Sequence, residues 1–151
     1  FMDTLQEAGI ARVILFPFTG PETQTRWTAA AMNRELDVIV GGYMTHHSFI
    51  ASEGGYIEDD VPTRIYTHAA LNGVRSYVVP GNKPDVIADV KQDIHAACPD
   101  PIFYSPGFVI QGGKISEAVK VAGANWNAIV GRGIYTKPSM REAAEELASQ
   151  L

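Results

Sequence analysis

The chain has 151 residues, of which 46% are hydrophobic and 19% are charged, enough apolar material for the core of one globular domain. Its formal net charge of −5 argues against a nucleic-acid surface, because neutralising several phosphates requires a basic face and no cluster of lysine and arginine is present. No apolar run approaches the roughly 20 residues of a membrane span, and the acidic N-terminus is unlike a signal peptide.

One pattern repeats five times along the chain: a short β-branched run flanked by glycine or proline, then a segment of helical periodicity. The runs predict five strands, at 12–18, 37–42, 75–79, 102–105 and 127–131. Alternating strands and helices predict a parallel sheet with right-handed crossovers, that is, an α/β fold. Residues 2–9 are predicted to be the end of a helix closed by Gly9.

Three of the predicted helices are defined by apolar residues that recur at helical spacing. The first has Val86, Val90, Ile94 and Ala97 on one face, the second Ile115, Ala118, Val119 and Ala122, and the third Met140, Ala143, Ala144, Leu147 and Leu151. The third is predicted to begin at Pro138, because proline suits the first helical position. The single cysteine, Cys98, is predicted to be a buried or incidental thiol, which fits a reducing cytoplasm.

Two glycine-rich loops on consecutive strand-helix units, at 105–113 and 129–135, predict a phosphate site. In each loop an apolar run ends in glycines that let backbone N–H groups approach an anion, and the N-terminus of a helix follows. A (β/α)8 TIM barrel commonly holds a substrate phosphate in the loops after its last two strands. Since a complete barrel rarely has fewer than about 200 residues, we expect residues 1–151 to be a single domain. It would be the C-terminal part of such a barrel, with about five βα units and without the N-terminal third.

The five strand exits, at 16–20, 43–48, 80–85, 105–113 and 131–133, together resemble the orotidine 5′-phosphate decarboxylase family, particularly its compact microbial form. The most specific matches are the Pro-Gly-x-x-x-Gln-Gly-Gly loop from Pro106 and the Val-Gly-Arg-x-Ile-Tyr exit from Val130. Met44-Thr45-His46 matches the family's Met-Ser-His segment, and residues 80–85 match its Pro-Gly-Thr-Arg-Pro-Glu segment. The resemblance covers essentially the whole chain.

This resemblance implies an enzyme, a carboxy-lyase that converts orotidine 5′-monophosphate to uridine 5′-monophosphate and CO2 in pyrimidine biosynthesis. It also implies a cytoplasmic homodimer that needs no metal or organic cofactor. The expected partners are a nucleotide monophosphate and a second copy of the chain, with neither nucleic acid nor a membrane among them.

At the phosphate end of the substrate, the resemblance implies roles for three residues. Gly131 and Arg132 would bind the 5′-phosphate, since backbone N–H groups and the forked guanidinium both suit phosphate oxygens. Gln111 would close over the site on a mobile loop, and its amide would link the phosphate end to O2 of the pyrimidine.

At the pyrimidine end, the resemblance implies that Thr45, where the family usually has serine, offers hydroxyl and backbone groups to the base edge. Pro106 and Phe108 would form an apolar wall near the base. The chain departs from the family at His47, where proline is usual, and at Asn82-Lys83, which replaces Thr-Arg. These departures affect the contacts expected around the pyrimidine.

The family's catalytic Asp-x-Lys-x-x-Asp motif should precede residue 1, so no catalytic residue is assigned in this chain and the chain alone is expected to be inactive. The segment 89–93 contains a lysine between two aspartates, but its second aspartate comes one residue too early. We predict that this segment is a solvated helix face.

Two other functions remain open at the level of sequence. One is a sugar-phosphate decarboxylase or aldolase on the same barrel, such as a hexulose-phosphate synthase, although those enzymes need a metal and lack the Gln111-type loop. The other is a half-barrel that binds phosphorylated ligands without catalysis. His46 and His47 are not predicted to bind metal, because adjacent residues of an extended segment point in opposite directions and no carboxylate or cysteine supports them.

Overall fold

The computed structural model describes all residues from 1 to 151. Its five strands form one parallel sheet in sequence order. The strands are β1 (Arg12–Leu15), β2 (Asp37–Gly41), β3 (Ser76–Val78), β4 (Ile102–Ser105) and β5 (Trp126–Ala128). All five predicted strands are confirmed, and most are shorter than predicted because the apolar runs continue into the loops beyond the ladder.

Seven helices and one 3₁₀ turn, Ala51–Glu53, connect or flank the strands. The helices are α1 (Met2–Glu7), α2 (Pro21–Met32), α3 (Val61–Leu71), α4 (Pro84–Ile94), α5 (Ile115–Ala122), α6 (Arg132–Tyr135) and α7 (Met140–Ala148). Proline occupies the first turn of α2, α3 and α4, where its missing N–H has no helical partner in any case. None of these helices has the length and apolar character needed to cross a membrane.

The ends of two helices, α4 and α7, differ from the sequence-based expectation. α7 begins at Met140 rather than Pro138, because the Ser139 hydroxyl accepts a hydrogen bond from the N–H of Glu142 at 3.3 Å and caps the helix. Ala97, predicted on the buried face of α4, is exposed because the helix ends at Ile94. Met140 and Leu151 are also exposed, so the predicted apolar face of α7 is only partly buried.

The predictions for the end of α1 and for the thiol are confirmed, and the predicted face of α5 is confirmed except at Val119, which is half-buried and outside the core. Gly9 follows α1 with φ +74°, and its N–H donates to the carbonyl of Gln6. Ile115, Ala118 and Ala122 are the buried residues of α5. Cys98 is a buried free thiol.

The hydrophobic core lies between one face of the sheet and the helices. A row of paired residues across β2 to β5 forms its centre, namely Val40, Tyr77, Phe103 and Trp126. Successive residues of a strand point to opposite faces of the sheet. The residues that alternate with this row lie on the other face, and none of them belongs to the core cluster. That face carries Ile14, Ile39, Val78, Ile102 and Tyr104, and Ile14 is 51% exposed. In a closed barrel this uncovered face is the interior.

Tyr66 fastens the ends of β2 and β3 to each other. Its side chain is fully buried, its hydroxyl donates to the carbonyl of Val78 at 2.7 Å, and it accepts from the N–H of Tyr43 at 3.0 Å. Burial raises the pKa of Tyr66 above its ordinary value. Because Tyr43 opens the loop after β2, this one hydroxyl fixes where that loop leaves the sheet.

We expect Tyr66→Phe to lower the free energy of unfolding by about 1–3 kcal/mol, because the N–H of Tyr43 would stay buried without an acceptor. Denaturant unfolding monitored by circular dichroism measures the change. Tyr56→Phe is the matched control, since the Tyr56 side chain is fully exposed. Equal stability of Tyr66→Phe and the wild-type protein would contradict the role given to the hydroxyl.

Candidate functional site

The parallel sheet brings the loops after all five strands to one edge, where ligands of such sheets usually bind. A cavity of about 250 Å³ opens there between the 107–113 loop and α6. Five of the six residues with predicted substrate-binding roles line it: Pro106, Phe108, Gln111, Gly131 and Arg132. The sixth, Thr45, accepts a hydrogen bond at its Oγ1 from Nε2 of Gln111 at 3.0 Å. The structure therefore brings all six predicted residues together.

At the phosphate end, Gly131 and Arg132 form the N-terminus of α6. Their backbone N–H groups have no backbone acceptor, and the Arg132 side chain is in no salt bridge. Both residues are exposed. Unpaired N–H groups beside a free guanidinium are a donor set that suits an anion.

The 107–113 loop has an unusual backbone. Val109 has φ +64°, a left-handed conformation that is strained for a β-branched residue. The Val109 side chain packs on α6 at Gly133, where a Cβ would lie only 3.0 Å from Cγ2 of Val109. The loop therefore packs on α6 at Gly133, where any larger residue would displace the Val109 side chain.

Phe108 anchors this loop to the core. Its side chain is 5% exposed, and its ring covers Gly81 so closely that a Cβ there would overlap it. The ring also meets Trp126 edge-on, with centroids 5.7 Å apart. Much of the ring is therefore used in packing, and Ile110 and Ile129 add apolar surface to the cavity.

Sequence reasoning missed two polar residues of the site. Tyr135 lines the cavity with its side chain largely exposed, and it could have been found because it ends the matched Val-Gly-Arg-x-Ile-Tyr motif. Asn82 donates from Nδ2 to the carbonyl of Thr45 at 2.9 Å and to that of Gln111 at 3.3 Å. Its only sequence signal is that it departs from the family's threonine.

Beside Asn82, a charged cluster joins the loop after β2 to the loop after β3. Nζ of Lys83 lies 2.7 and 3.0 Å from the two carboxylate oxygens of Glu53, and 4.6 Å from the centroid of the Tyr43 ring. The Tyr43 hydroxyl donates to Glu53 at 3.0 Å. The hydrogen bond from Lys83 holds the pKa of Glu53 below its usual range. Burial, with the bond to Glu53, raises the pKa of Tyr43 to about 12.

The remaining titratable residues of interest lie elsewhere. No group of three or more His, Cys, Asp and Glu side chains is close enough to hold a metal ion. The ring of His46 packs edge-on against Phe49, and His68 shares a hydrogen bond of 2.8 Å with Thr25. In the 89–93 segment, Lys91 is not simply solvated as predicted, because its Nζ donates to the last carbonyls of α5 at 3.2 and 3.3 Å.

The lowered pKa of Glu53 predicts an acid-sensitive attachment of the loop that carries it. A group whose pKa is depressed by folding stabilises the protein above its ordinary value, about 4.3 for glutamate, and this contribution is lost as the pH falls through the lower folded value. Glu53→Gln should therefore unfold more easily at neutral pH and lose less stability on acidification. Thermal unfolding between pH 7 and pH 3 measures both, and an unchanged acid slope in the variant would contradict the assignment.

The sequence is similar to curated orotidine 5′-phosphate decarboxylases along nearly all of its length. The protein from Methanosarcina barkeri is 33% identical over 145 residues, which cover 96% of this chain and 61% of that relative. The protein from Pyrococcus abyssi is 30% identical over 147 residues, covering 96% and 62%. The chain thus spans about three fifths of the length of the curated relatives it matches. No family profile matches the chain.

Solved structures of similar fold carry the same description. Orotidine 5′-monophosphate decarboxylase from Methanocaldococcus jannaschii, complexed with the inhibitor BMP, matches with a TM-score of 0.78 at 20% identity, over 100% of this chain and 69% of that one. The enzyme from Metallosphaera sedula matches with a TM-score of 0.69 at 24% identity, over 99% and 66%. The fold class predicted from the sequence, α/β with five βα units of a TIM barrel, is confirmed.

Proposed function

We propose that this chain, which belongs to the orotidine 5′-phosphate decarboxylase family, supplies the substrate-positioning part of an enzyme that converts orotidine 5′-monophosphate to uridine 5′-monophosphate and CO2. The observation that supports the proposal most directly is the meeting of Thr45, Gln111 and Arg132 around one cavity. Those residues come from the exits of three different strands, and each was assigned to the substrate from the family's motifs. Neither the sugar-phosphate enzyme nor the non-catalytic half-barrel is favoured by the relatives that match.

In this proposal, the phosphate binds where α6 begins. Arg132 and the N–H of Gly131 bind its oxygens through charge-assisted hydrogen bonds, and the Tyr135 hydroxyl lies on the same cavity wall. Tight binding of a group far from the reacting carbon is useful, because that energy can stabilise an arrangement reached only when the site is closed.

Closure is assigned to the 107–113 loop. The hydrogen bond from Gln111 to Thr45 already joins this loop to the exit of β2 across the cavity. With a substrate in place, the same amide would lie between the phosphate and the pyrimidine, and the loop would exclude water from the base. The phosphate would thus be connected to the pyrimidine through a single side chain.

The chemical step needs groups that the cavity does not contain. Its lining has no lysine, histidine or carboxylate, and Gln111, Arg132 and Tyr135 are poor donors of a proton to carbon C6 of the pyrimidine at neutral pH. The nearby Lys83 is held by Glu53. We therefore assign protonation to a lysine, and crowding of the substrate carboxylate to aspartates, of the Asp-x-Lys-x-x-Asp motif that the family has upstream of this region.

A homodimer and a cytoplasmic location complete the proposal, and both follow from the family resemblance. A dimer is also compatible with exposed apolar side chains such as Phe18, which is 39% exposed and whose ring centroid lies 5.8 Å from that of Phe49.

We expect residues 1–151 alone to associate and to lack decarboxylase activity. The sheet leaves β1 and β5 as open edges and one face uncovered, which favours pairing with other copies. Adding the N-terminal third of the Methanosarcina barkeri relative, fused or as a separate chain, should give a compact protein and release of CO2. Sedimentation and CO2 assays measure both. Turnover by residues 1–151 alone would show that the catalytic groups are misplaced, and a stable monomer would contradict the architecture.

Arg132→Ala should weaken binding of uridine 5′-monophosphate by about 1.5–3 kcal/mol, the value of a hydrogen bond to a charged group. Binding of uridine, which has no phosphate, should change little. Calorimetry on the completed protein measures both ligands, with Arg26→Ala as the control because Arg26 pairs with Glu22 on α2. An equal loss for the two ligands would refute the phosphate assignment.

A further inference from the structure

Asn82 connects three strand exits. It lies in the loop after β3, and its Nδ2 uses one hydrogen on the carbonyl of Thr45, after β2, and the other on the carbonyl of Gln111, after β4. The two distances, 2.9 and 3.3 Å, are those of hydrogen bonds. The swapped orientation of the amide would set its oxygen against two carbonyl oxygens, so the acceptor contacts fix the orientation as described.

The 107–113 loop is also shaped around Asn82 by packing. A Cβ at Gly113 would lie 3.0 Å from the Cα of Asn82, and a Cβ at Gly107 would lie 3.0 Å from its Oδ1. Glycine at 107 and at 113 therefore lets both ends of the loop approach Asn82, and a side chain at either position would crowd it.

The backbone that carries Asn82 is also held by contacts outside the loop. The next residue, Lys83, is bound by Glu53, its N–H donates to the carbonyl of Pro80 at 3.1 Å, and α4 starts at Pro84. A fixed backbone lets a short side chain act as an anchor for a segment that moves.

Two unfavourable features oppose the contacts that hold the loop against Asn82. Oδ1 of Asn82 is buried without any hydrogen-bond partner, and Val109 is held at φ +64°. Both costs offset part of the stabilisation that the Asn82 hydrogen bonds give, and so favour opening of the loop. A ligand that adds contacts only in the closed position shifts this balance.

We propose that Asn82 is a positioning residue which holds the 107–113 loop against the Thr45 segment and so sets how readily the site closes over a phosphate-bearing ligand. A threonine at this position, as in the family motif, has one O–H donor and cannot serve both carbonyls at once. The inference rests on the proposed function for its ligand, and the contact between Asn82 and the loop is independent of it.

The test is amide hydrogen exchange of residues 107–113 in the completed protein, first without nucleotide. Asn82→Ala should speed exchange in the loop about 2- to 10-fold, the effect of one lost hydrogen bond. Asn82→Asp keeps the shape of the side chain and removes its N–H donors, so it should speed exchange in the loop as well. The exchange rate in Asn82→Thr should lie between the rates of these two variants and that of the wild-type protein. Asn72→Ala is the matched control, because Asn72 also donates its amide to a carbonyl, that of His68, away from the site.

Measurements with nucleotide compare Asn82→Ala with Asn72→Ala, and so distinguish a loss of loop positioning from a general loss of stability. Asn82→Ala should raise the Kd for uridine 5′-monophosphate and the KM for the substrate by a similar factor, with exchange in β3 and β4 unchanged. If Asn82→Ala does not fold, the same measurements on Asn82→Thr and Asn82→Asp test the positioning role. Loop exchange equal to wild type in the folded variants overturns the inference. Failure of any nucleotide to bind the wild-type protein, with faster loop exchange in the variants, overturns only the proposed function.

Discussion

Parallel pairing of five successive strands is the constraint on which the rest of this structure depends. Because each strand lies beside the next one in the sequence, every connection must cross over the same sheet face through a helix, and every strand ends at the same edge. Residues as distant in sequence as Thr45 and Gln111 are thereby brought within hydrogen-bonding distance. The single-sided core follows from the same arrangement.

The features that sequence predicts well here are those that local pattern specifies. Short β-branched runs identified the five strands, and glycine spacing with the family motifs identified the six residues that meet around the cavity. α6 escaped prediction because four residues are too few for a periodicity, and the start of α7 depends on a single hydroxyl of Ser139. Asn82 and the Lys83–Glu53 pair escaped because their partners lie 29 to 37 positions away, where no local pattern reaches.

The two faces of the sheet differ in how completely this chain buries their apolar side chains. Val40, Tyr77 and Phe103 are almost wholly excluded from solvent by the helices, whereas Ile14 on the other face is half exposed. Ile39 and Val78, in the middle of that face, are each 5% exposed. The surface around them is apolar and lined by Arg12 and Asp37 at its far end, where the two form a salt bridge. In a closed barrel this face would pack in the interior, and further strands would pair with the open edges β1 and β5.

The neutralisation of Lys83 by Glu53 has a consequence for which ligands the edge of the sheet accepts. Arg132 is left as the sole cationic side chain among the residues that line the cavity, with the N–H groups of α6 as its only electrostatic support. A nucleoside monophosphate, as we propose, brings a phosphate of about −1.5 to −2 charge, which Arg132 and the N–H groups at the start of α6 would meet together. A nucleoside diphosphate or triphosphate would bring further negative charge, and no second cationic side chain lines the cavity to meet it. We therefore expect the proposed site to bind nucleoside monophosphates more tightly than the more highly charged diphosphates and triphosphates.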